Sequence, residues 1–426
     1  MLNKLKQIVQ SSLFKITSLN SASIVLKIAV GFVTSKFIAL FVGPSGMAII
    51  GNFRNFLAST QAIATLGFEN GIVKYVSENK KNELFLKKII TTITLFLCFF
   101  CLLISVVLFV FSDFLTEQIF ETNSYGFLFK FVAVALPFYI CSLFLIAVIN
   151  GLGCFKKVLL ITCFGYLIGL VVSVLLIYNF KIYGALLAII ITPSLLFFVS
   201  LYFIQTEINV LHYLKFNFFE FKILKQFSSY SLMVFVSSVI GPIVLLLIRK
   251  YLIEKVGSFE AGFWEAVTRI SSYYMLFITS LLSLYFLPKL AESKTIQQTK
   301  LLFLSYFKTI LPVFGFVLFL VYAARFYIIS ILLTAEFMPT EKLFFWQLLG
   351  DFLRAASYIL AFQFYANKLT KGFIISELLS LSVLYCSSIY FVAHFGFVGI
   401  VMAHCFTYFI YLIGLLIYFK KEVFSR

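Results

Sequence analysis

The stretch GPSGMAIIGNFRNFLAST, residues 43 to 60, holds one arginine, Arg54, in an otherwise apolar setting, and FFWQLLGDFLRAASY holds Asp351 and Arg354 three residues apart. A guanidinium is a planar fork of donors suited to phosphate and pyrophosphate oxygens. Carboxylates in apolar surroundings suit a proton or Na⁺. Asp351 and Arg354 share a helix face at this spacing, and Glu377 follows in the next apolar run, giving one carboxylate more than the arginine neutralises. The three either take up a coupling ion or tie two helices together as a structural network. Glu265, four residues before Arg269 in WEAVTRIS, is likewise either an ion-coupling carboxylate or an intrahelical partner. Arg54, Lys27, Arg269 and Arg249 are candidates to line an aqueous, cationic cleft that receives an anionic headgroup. Alternatively, Arg54 and Lys27 pair with Glu69 or with backbone carbonyls and hold the first two helices together.

The elements that position these residues cross a membrane. The chain has 426 residues, 62% hydrophobic and only 12% charged, where a soluble domain carries about 25% charged residues. Apolar runs such as 89 to 112, 158 to 178, 184 to 203, 373 to 393 and 397 to 419 approach or exceed the roughly 20 residues a helix needs to span the hydrocarbon. The alternating pattern of barrel strands is absent. Helices are expected near 13 to 41, 44 to 76, 88 to 112, 127 to 152, 158 to 179 and 185 to 205. A second set is expected near 227 to 252, 259 to 290, 302 to 332, 339 to 366, 373 to 395 and 397 to 420, about twelve in all.

Lysine and arginine orient this bundle, because short basic loops stay cytoplasmic. Lys4, Lys6 and Lys15 precede the first helix, and Lys80, Lys81, Lys87 and Lys88 follow the second. Lys156 and Lys157, then Lys215, Lys222 and Lys225, then Lys289, Lys294 and Lys300, then Lys368 and Lys371, and finally Lys420, Lys421 and Arg426 recur in alternate loops. The loop 113 to 126 instead carries Asp113, Glu117 and Glu121 without a cation. Both termini are therefore expected in the cytoplasm. Lys36 and Lys74 read as snorkelling residues near helix ends.

The same pattern excludes several functions. The net charge of +17 is spread over loops and membrane depth, which suits topology and anionic membrane lipids rather than nucleic acid. Lys27 and Lys36 interrupt the first apolar segment, so no cleavable signal peptide is expected. The seven cysteines lie almost all in apolar runs and read as small buried hydrophobes. His212, His394 and His404 have no ligand-like companions, so no metal site is expected. No loop longer than roughly 20 residues is expected, and there is no phosphate-cradling or zinc-protease motif. A transporter without cofactor is favoured over an enzyme.

The halves also resemble each other. Lys36 matches Lys250, Val42-Gly43 matches Val256-Gly257 and Glu78-Asn79-Lys80 matches Glu292-Ser293-Lys294 at one offset, while Arg54 matches Arg269 with a one-residue slip. Six helices per repeat keep both halves in the same orientation. The expected fold is an all-α integral membrane protein of about twelve transmembrane helices in two lobes, 1–210 and 211–426, as a parallel pseudo-repeat around a central cationic cleft.

The blocks LKIAVGFVTSKFIALFVGPSGMAIIGNFRNF, NGIVKYVSE, GFWEAVTRIS, LPKLAE and FWQLLGDFLRAASY, with the Ser376-Glu377 pair, resemble the Wzx-type flippases of lipid-linked oligosaccharides. These belong to the multidrug/oligosaccharidyl-lipid/polysaccharide exporter superfamily, and the likeness is greatest to the branch with the enterobacterial common antigen lipid III flippase. The resemblance implies export of undecaprenyl-diphosphate-linked glycans across the bacterial inner membrane by alternating access with H⁺ or Na⁺ antiport. It also implies partners among other membrane proteins of polysaccharide assembly. Lys27, Arg54, Asp351 and Glu377 match family positions; Arg354 keeps the charge of a lysine, whereas Arg269 and Ser272 stand near an acidic position of the relative and Glu69 has no acidic counterpart. The alternatives are a multidrug exporter, which would need acidic residues in the cleft, and a peptidoglycan lipid precursor flippase, whose relatives carry two further helices.

Overall fold

The computed structural model describes residues 12–120, 122–214 and 216–424. Lys4, Lys6, Glu121, Lys215 and Arg426, used above to orient the chain, lie outside the described residues. In chain order the helices are α1 (Ser12–Phe41), α2 (Gly43–Thr65), α3 (Glu69–Asn79), α4 (Glu83–Val110), α5 (Ser112–Phe120), α6 (Gly126–Gly151) and α7 (Phe155–Gln205). They continue as α8 (Val210–Tyr213), α9 (Phe221–Lys255), α10 (Ser258–Leu281), α11 (Leu287–Glu292), α12 (Ile296–Ser305), α13 (Leu311–Ala323) and α14 (Arg325–Leu332). The last four are α15 (Glu341–Ala366), α16 (Thr370–Phe395), α17 (Gly399–Tyr418) and α18 (Lys420–Phe424).

Eight segments among the described residues are long and apolar enough to cross a membrane, and two of them, 155–205 and 370–418, are 51 and 49 residues long. The first of these reverses at Lys181, whose φ of 49° and ψ of −120° are not helical. Beyond the turn the two arms pack antiparallel, Gly165 against Leu196 and Gly169 against Thr192. The second comprises α16 and α17, separated at Gly396 with φ 61°. Helices α2 and α15 also have spanning length, but the polar residues of the candidate site keep them out of the apolar set. This architecture is consistent with the twelve spans expected.

Burial shows what surrounds the helices. On α4, Ile89, Ile90, Ile93, Leu97 and Cys101 face the interior, while Phe99, Leu102, Val106 and Val110 are 63%, 66%, 53% and 66% exposed. An exposed apolar stripe at helical spacing is what lipid contacts; in water it would be an aggregation surface.

Backbone conformation records the repeat. Glycines with positive φ stand at the starts of α2 and α10, Gly43 as the first residue of α2 at 74° and Gly257 just before α10 at 122°, an offset of 214 residues (257 minus 43). Gly153 pairs with Lys368 and Lys181 with Gly396, each at an offset of 215 (368 minus 153; 396 minus 181), and all four have positive φ. Caps repeat too: Asn82 accepts from the Phe85 N–H ahead of α4, and Thr295 from the Gln298 N–H ahead of α12. The turns of one half thus recur in the other, as duplication requires.

Three expected spans are interrupted. The one expected over 44 to 76 breaks at Leu66 and Gly67, with φ of 49° and 67°. The one over 259 to 290 loosens into a π turn at Leu282–Phe286. The one over 302 to 332 carries a π turn at Tyr306–Ile310 and breaks at Ala324. Pro312 explains part of the last, since proline removes a helical donor.

The described chain divides into two compact units, residues 1–37 with 57–235, and residues 38–56 with 236–426. In the first, α6 packs on α7, α4 and α3 around Leu128, Phe129, Ile149, Ile72 and Ile93. In the second, α15 packs on α17, α10 and α13 around Phe344, Ile359, Leu360, Val401 and Ala403.

Candidate functional site

Polar residues at membrane depth gather in the second unit, which includes the first half of α2. Glu265 on α10 is 5% exposed, and both of its oxygens are engaged. Arg54 Nη1 donates to Oε1 at 3.0 Å and Arg249 Nη2 to Oε2 at 2.6 Å. Arg249, from α9, is 2% exposed, reaches Asn52 Oδ1 at 3.5 Å and lies 4.9 Å over the Trp264 ring. Gly51 makes this possible: a Cβ there would sit 2.5 Å from Glu265 Oε2 and 2.8 Å from Arg249 Cζ. A glycine on α2 therefore lets a buried ion pair from two other helices lie against its backbone.

The charges do not balance. Arg54 and Arg249 share one carboxylate, and Arg269 stands close enough to Arg54 for the two cations to repel. Arg269 makes no ion pair, and its buried Nε has no hydrogen-bond partner among the described residues. Three guanidiniums against one carboxylate leave a positive field, and Arg54, with its side chain 42% exposed, can reach a ligand. Glu265 does not pair with Arg269 within α10, as their spacing suggested. With both oxygens held by guanidiniums, it is also not free to carry a coupling ion. Arg249 is buried against Glu265 rather than turned to water, so it positions the carboxylate.

A second cluster forms around Asp351 on α15, which is 0% exposed. Its Oδ2 accepts from Ser271 Oγ at 2.6 Å, from the Tyr274 hydroxyl and from Gln347 Nε2 at 3.2 Å. Its Oδ1 lies 3.1 Å from His404 Nε2 on α17. One carboxylate thus ties α10, α15 and α17 together. Gly350 allows the approach, since a Cβ there would lie 2.4 Å from His404 Cδ2 and 3.1 Å from the Cys405 backbone.

Arg354 is not among those partners. It shares the face of Asp351, but its Nε donates to the Tyr358 hydroxyl at 2.6 Å, with its guanidinium 5.2 Å from the Tyr358 ring and 5.5 Å from the Tyr408 ring. Glu377 on α16 is half-buried and makes no hydrogen bond or ion pair among the described residues. It lies within electrostatic reach of Arg354, Tyr365, Tyr408 and Tyr411. His404, read from sequence as a histidine without companions, is the partner of Asp351 Oδ1; a lone histidine in an apolar span was its only signal. Ser271, Tyr274 and Gln347 gave none beyond being polar at membrane depth.

Lys27 falls on α1 in the first unit, exposed and without an ion pair among the described residues. Neither it nor Arg54 pairs with Glu69 among the described residues.

The chain matches, over residues 13–294, the family described as Polysaccharide biosynthesis protein. It is similar to the lipid III flippases of Escherichia coli (strain K12) and Shigella flexneri, at 27% identity over 402 residues, covering 94% of this chain and 96% of each relative. Among solved structures it is similar to an inward-facing multidrug resistance MATE family transporter of the MOP superfamily, with a TM-score of 0.80 at 12% identity. That match covers 93% of this chain and 95% of the other. The lipid II flippase MurJ in an inward closed conformation gives a TM-score of 0.70 at 15% identity, covering 96% of this chain and 87% of the other. At these identities the structural likeness shows the fold, that of the superfamily's α-helical membrane transporters.

Proposed function

This chain belongs to the polysaccharide biosynthesis protein family, and from that premise we propose that it is a flippase for lipid-linked oligosaccharides. It moves an undecaprenyl-diphosphate-linked repeat unit from the cytoplasmic to the outer leaflet of the bacterial inner membrane, with both of its termini in the cytoplasm. The polyprenyl tail stays in lipid while the headgroup crosses on the protein, and no covalent bond is made or broken. Each half of the duplicated chain, 1–210 and 211–426, contributes one six-helix lobe.

The observation that carries this reading is the uncompensated guanidinium cluster. Arg54 and Arg269 offer planar donor forks to an anion, and the single carboxylate beside them is already shared. Bidentate donors suit a diphosphate. A site for cationic drugs would need the opposite sign. Arg249 and Glu265 hold the geometry. The transport cycle is driven by a proton or Na⁺ taken up at Asp351, with its partner His404, and at Glu377, beside Arg354; a buried ionisable residue in a membrane commonly marks such a pathway. Deleting the gene and weighing the lipid-linked intermediates by mass spectrometry tests the reading. Accumulation of a complete diphosphate-linked repeat unit supports it, and an unchanged lipid pool opposes it.

A further inference from the structure

The carboxylate of Asp351 is surrounded by donors. Ser271 Oγ at 2.6 Å, the Tyr274 hydroxyl and Gln347 Nε2 at 3.2 Å all donate to Oδ2. His404 Nε2 lies 3.1 Å from Oδ1. An ionised carboxylate only accepts, so the imidazole hydrogen sits on Nε2. That tautomer leaves a free lone pair on Nδ1, which makes no hydrogen bond among the described residues. A proton on Asp351 would remove the charge on which four donors converge. A proton on His404 Nδ1 keeps all four in place and turns the Nε2–H···Oδ1 contact into an ion pair.

His404 is also the accessible member of the pair. Its side chain is 16% exposed, against 0% for Asp351. Phe406, Phe409, Ile413 and Ile417 are the exposed apolar residues of α17. At about 100° per residue they lie within about 40° of the side opposite His404, so its open part faces away from lipid. The charged and titratable groups facing it are Asp351 from α15, Tyr274 from α10 through Asp351, and Tyr408 on its own helix, with ring centroids 4.9 Å apart. Arg354 from α15 lies 5.5 Å from the Tyr408 ring, and Glu377 from α16 is within electrostatic reach of both. Na⁺ suits this place poorly. A hard cation takes oxygen ligands, in transporters commonly the carbonyls of unwound helices. Helices α10, α15 and α17 run unbroken through the cluster, so their carbonyls stay in helical bonds. The Ser271 and Tyr274 hydroxyls aim their hydrogens at Asp351, and a nitrogen occupies Oδ1.

We propose that within the Asp351–His404 pair the coupling ion is a proton, and that His404 carries it at Nδ1 while Asp351 stays ionised as its counter-charge. This deepens the flippase reading above and rests on it. Ser271, Tyr274 and Gln347 hold the carboxylate in place, and the imidazole is the group that changes charge during the cycle.

The chain has 3 histidines, and His212 and His394 are exposed, which makes the imidazole directly observable. The purified full chain, labelled with nitrogen-15 histidine and held in lipid nanodiscs without substrate, is titrated by nuclear magnetic resonance over about pH 5 to 8, the range in which imidazole changes charge. His212→Gln and His394→Gln assign the remaining signal to His404 without touching the cluster. At the alkaline end His404 should carry its hydrogen on Nε2 with Nδ1 bare, and acidification should protonate Nδ1. Exchanging choline chloride for sodium chloride at constant ionic strength should leave the curve unchanged, and Asp351→Asn should move the midpoint of His404 alone. A bare Nε2 at the alkaline end places the proton on Asp351 and overturns the proposal. So does a His404 that never titrates, as a merely structural partner would not, or a curve that Na⁺ shifts. In proteoliposomes His404→Gln keeps a donor for Asp351 but takes up no proton, so flipping should lose its response to an imposed pH gradient; a retained response also overturns the proposal. The titration involves no transport, so its failure leaves the flippase reading standing, whereas a wild-type chain that moves no lipid under any gradient rejects that reading.

Discussion

Replacing Glu265 by glutamine separates the structural from the ligand-facing part of the arginine cluster. The substitution keeps the shape of the side chain but removes the carboxylate that Arg249 contacts among the described residues. Arg249 and Glu265 side chains are 2% and 7% exposed, whereas Arg54 is 42% exposed. Removing one partner of a buried ion pair costs about 3–5 kcal/mol, because the remaining charge is left uncompensated. An exposed pair contributes about 0–1 kcal/mol. Glu265→Gln should therefore destabilise the protein by about 3–5 kcal/mol, and Arg54→Ala by at most about 1 kcal/mol. Replacing both buried partners with apolar residues, Arg249→Met with Glu265→Leu, should recover most of the loss, since the desolvation cost disappears along with the attraction. Equilibrium unfolding in mixed detergent micelles measures all three. Arg54→Ala as damaging as Glu265→Gln, or a double variant no more stable than Glu265→Gln, would refute this division of roles.

Gly350→Ala should push His404 away from Asp351, costing about 1–3 kcal/mol by overpacking against about 1 kcal/mol gained in helix propensity, a net loss of about 0–2 kcal/mol; a gain in stability in detergent would contradict the close approach of α15 and α17. Asp351→Asn or Glu377→Gln should abolish the dependence of transport on pH or Na⁺ with normal expression, whereas loss of folded protein would assign them to structure alone. A membrane potential contributes about 2.3 kcal/mol per elementary charge per 100 mV, so flipping of an anionic headgroup outward in proteoliposomes should accelerate when the cytoplasmic side is negative; a rate indifferent to either sign of potential would mean electroneutral exchange.

Much of the fold is legible in the sequence because hydrophobic length, charge-poor spans and basic loops are local properties. The repeat is legible in part for a related reason, Val42-Gly43 matching Val256-Gly257, whereas the turns at 153 and 181 recur at 368 and 396 with other residue types and show only in the backbone. The break at Leu66 and Gly67 is hidden because Leu66, which carries the φ of 49°, is an ordinary helix former. Pairing is hidden for another reason. Glu265 and Arg269 stand at a spacing that suits an intrahelical pair, yet Glu265 turns to Arg54, 211 residues away, and to Arg249 on the neighbouring helix. His404 meets Asp351 across 53 residues. Local spacing marks which residues share a helix face, and only the packing of helices decides which faces meet.

In the proposed function this chain carries a diphosphate-linked glycolipid across a membrane by means of an uncompensated arginine cluster. Reconstituting the purified protein in proteoliposomes with an undecaprenyl-diphosphate oligosaccharide, and following its arrival in the opposite leaflet with an impermeant sugar-modifying enzyme, measures this directly. The wild-type chain should move the lipid, and Arg54→Ala with Arg269→Ala should slow it while the protein stays folded. Translocation at the wild-type rate in the double variant, or none at all by the wild-type protein, would contradict the account.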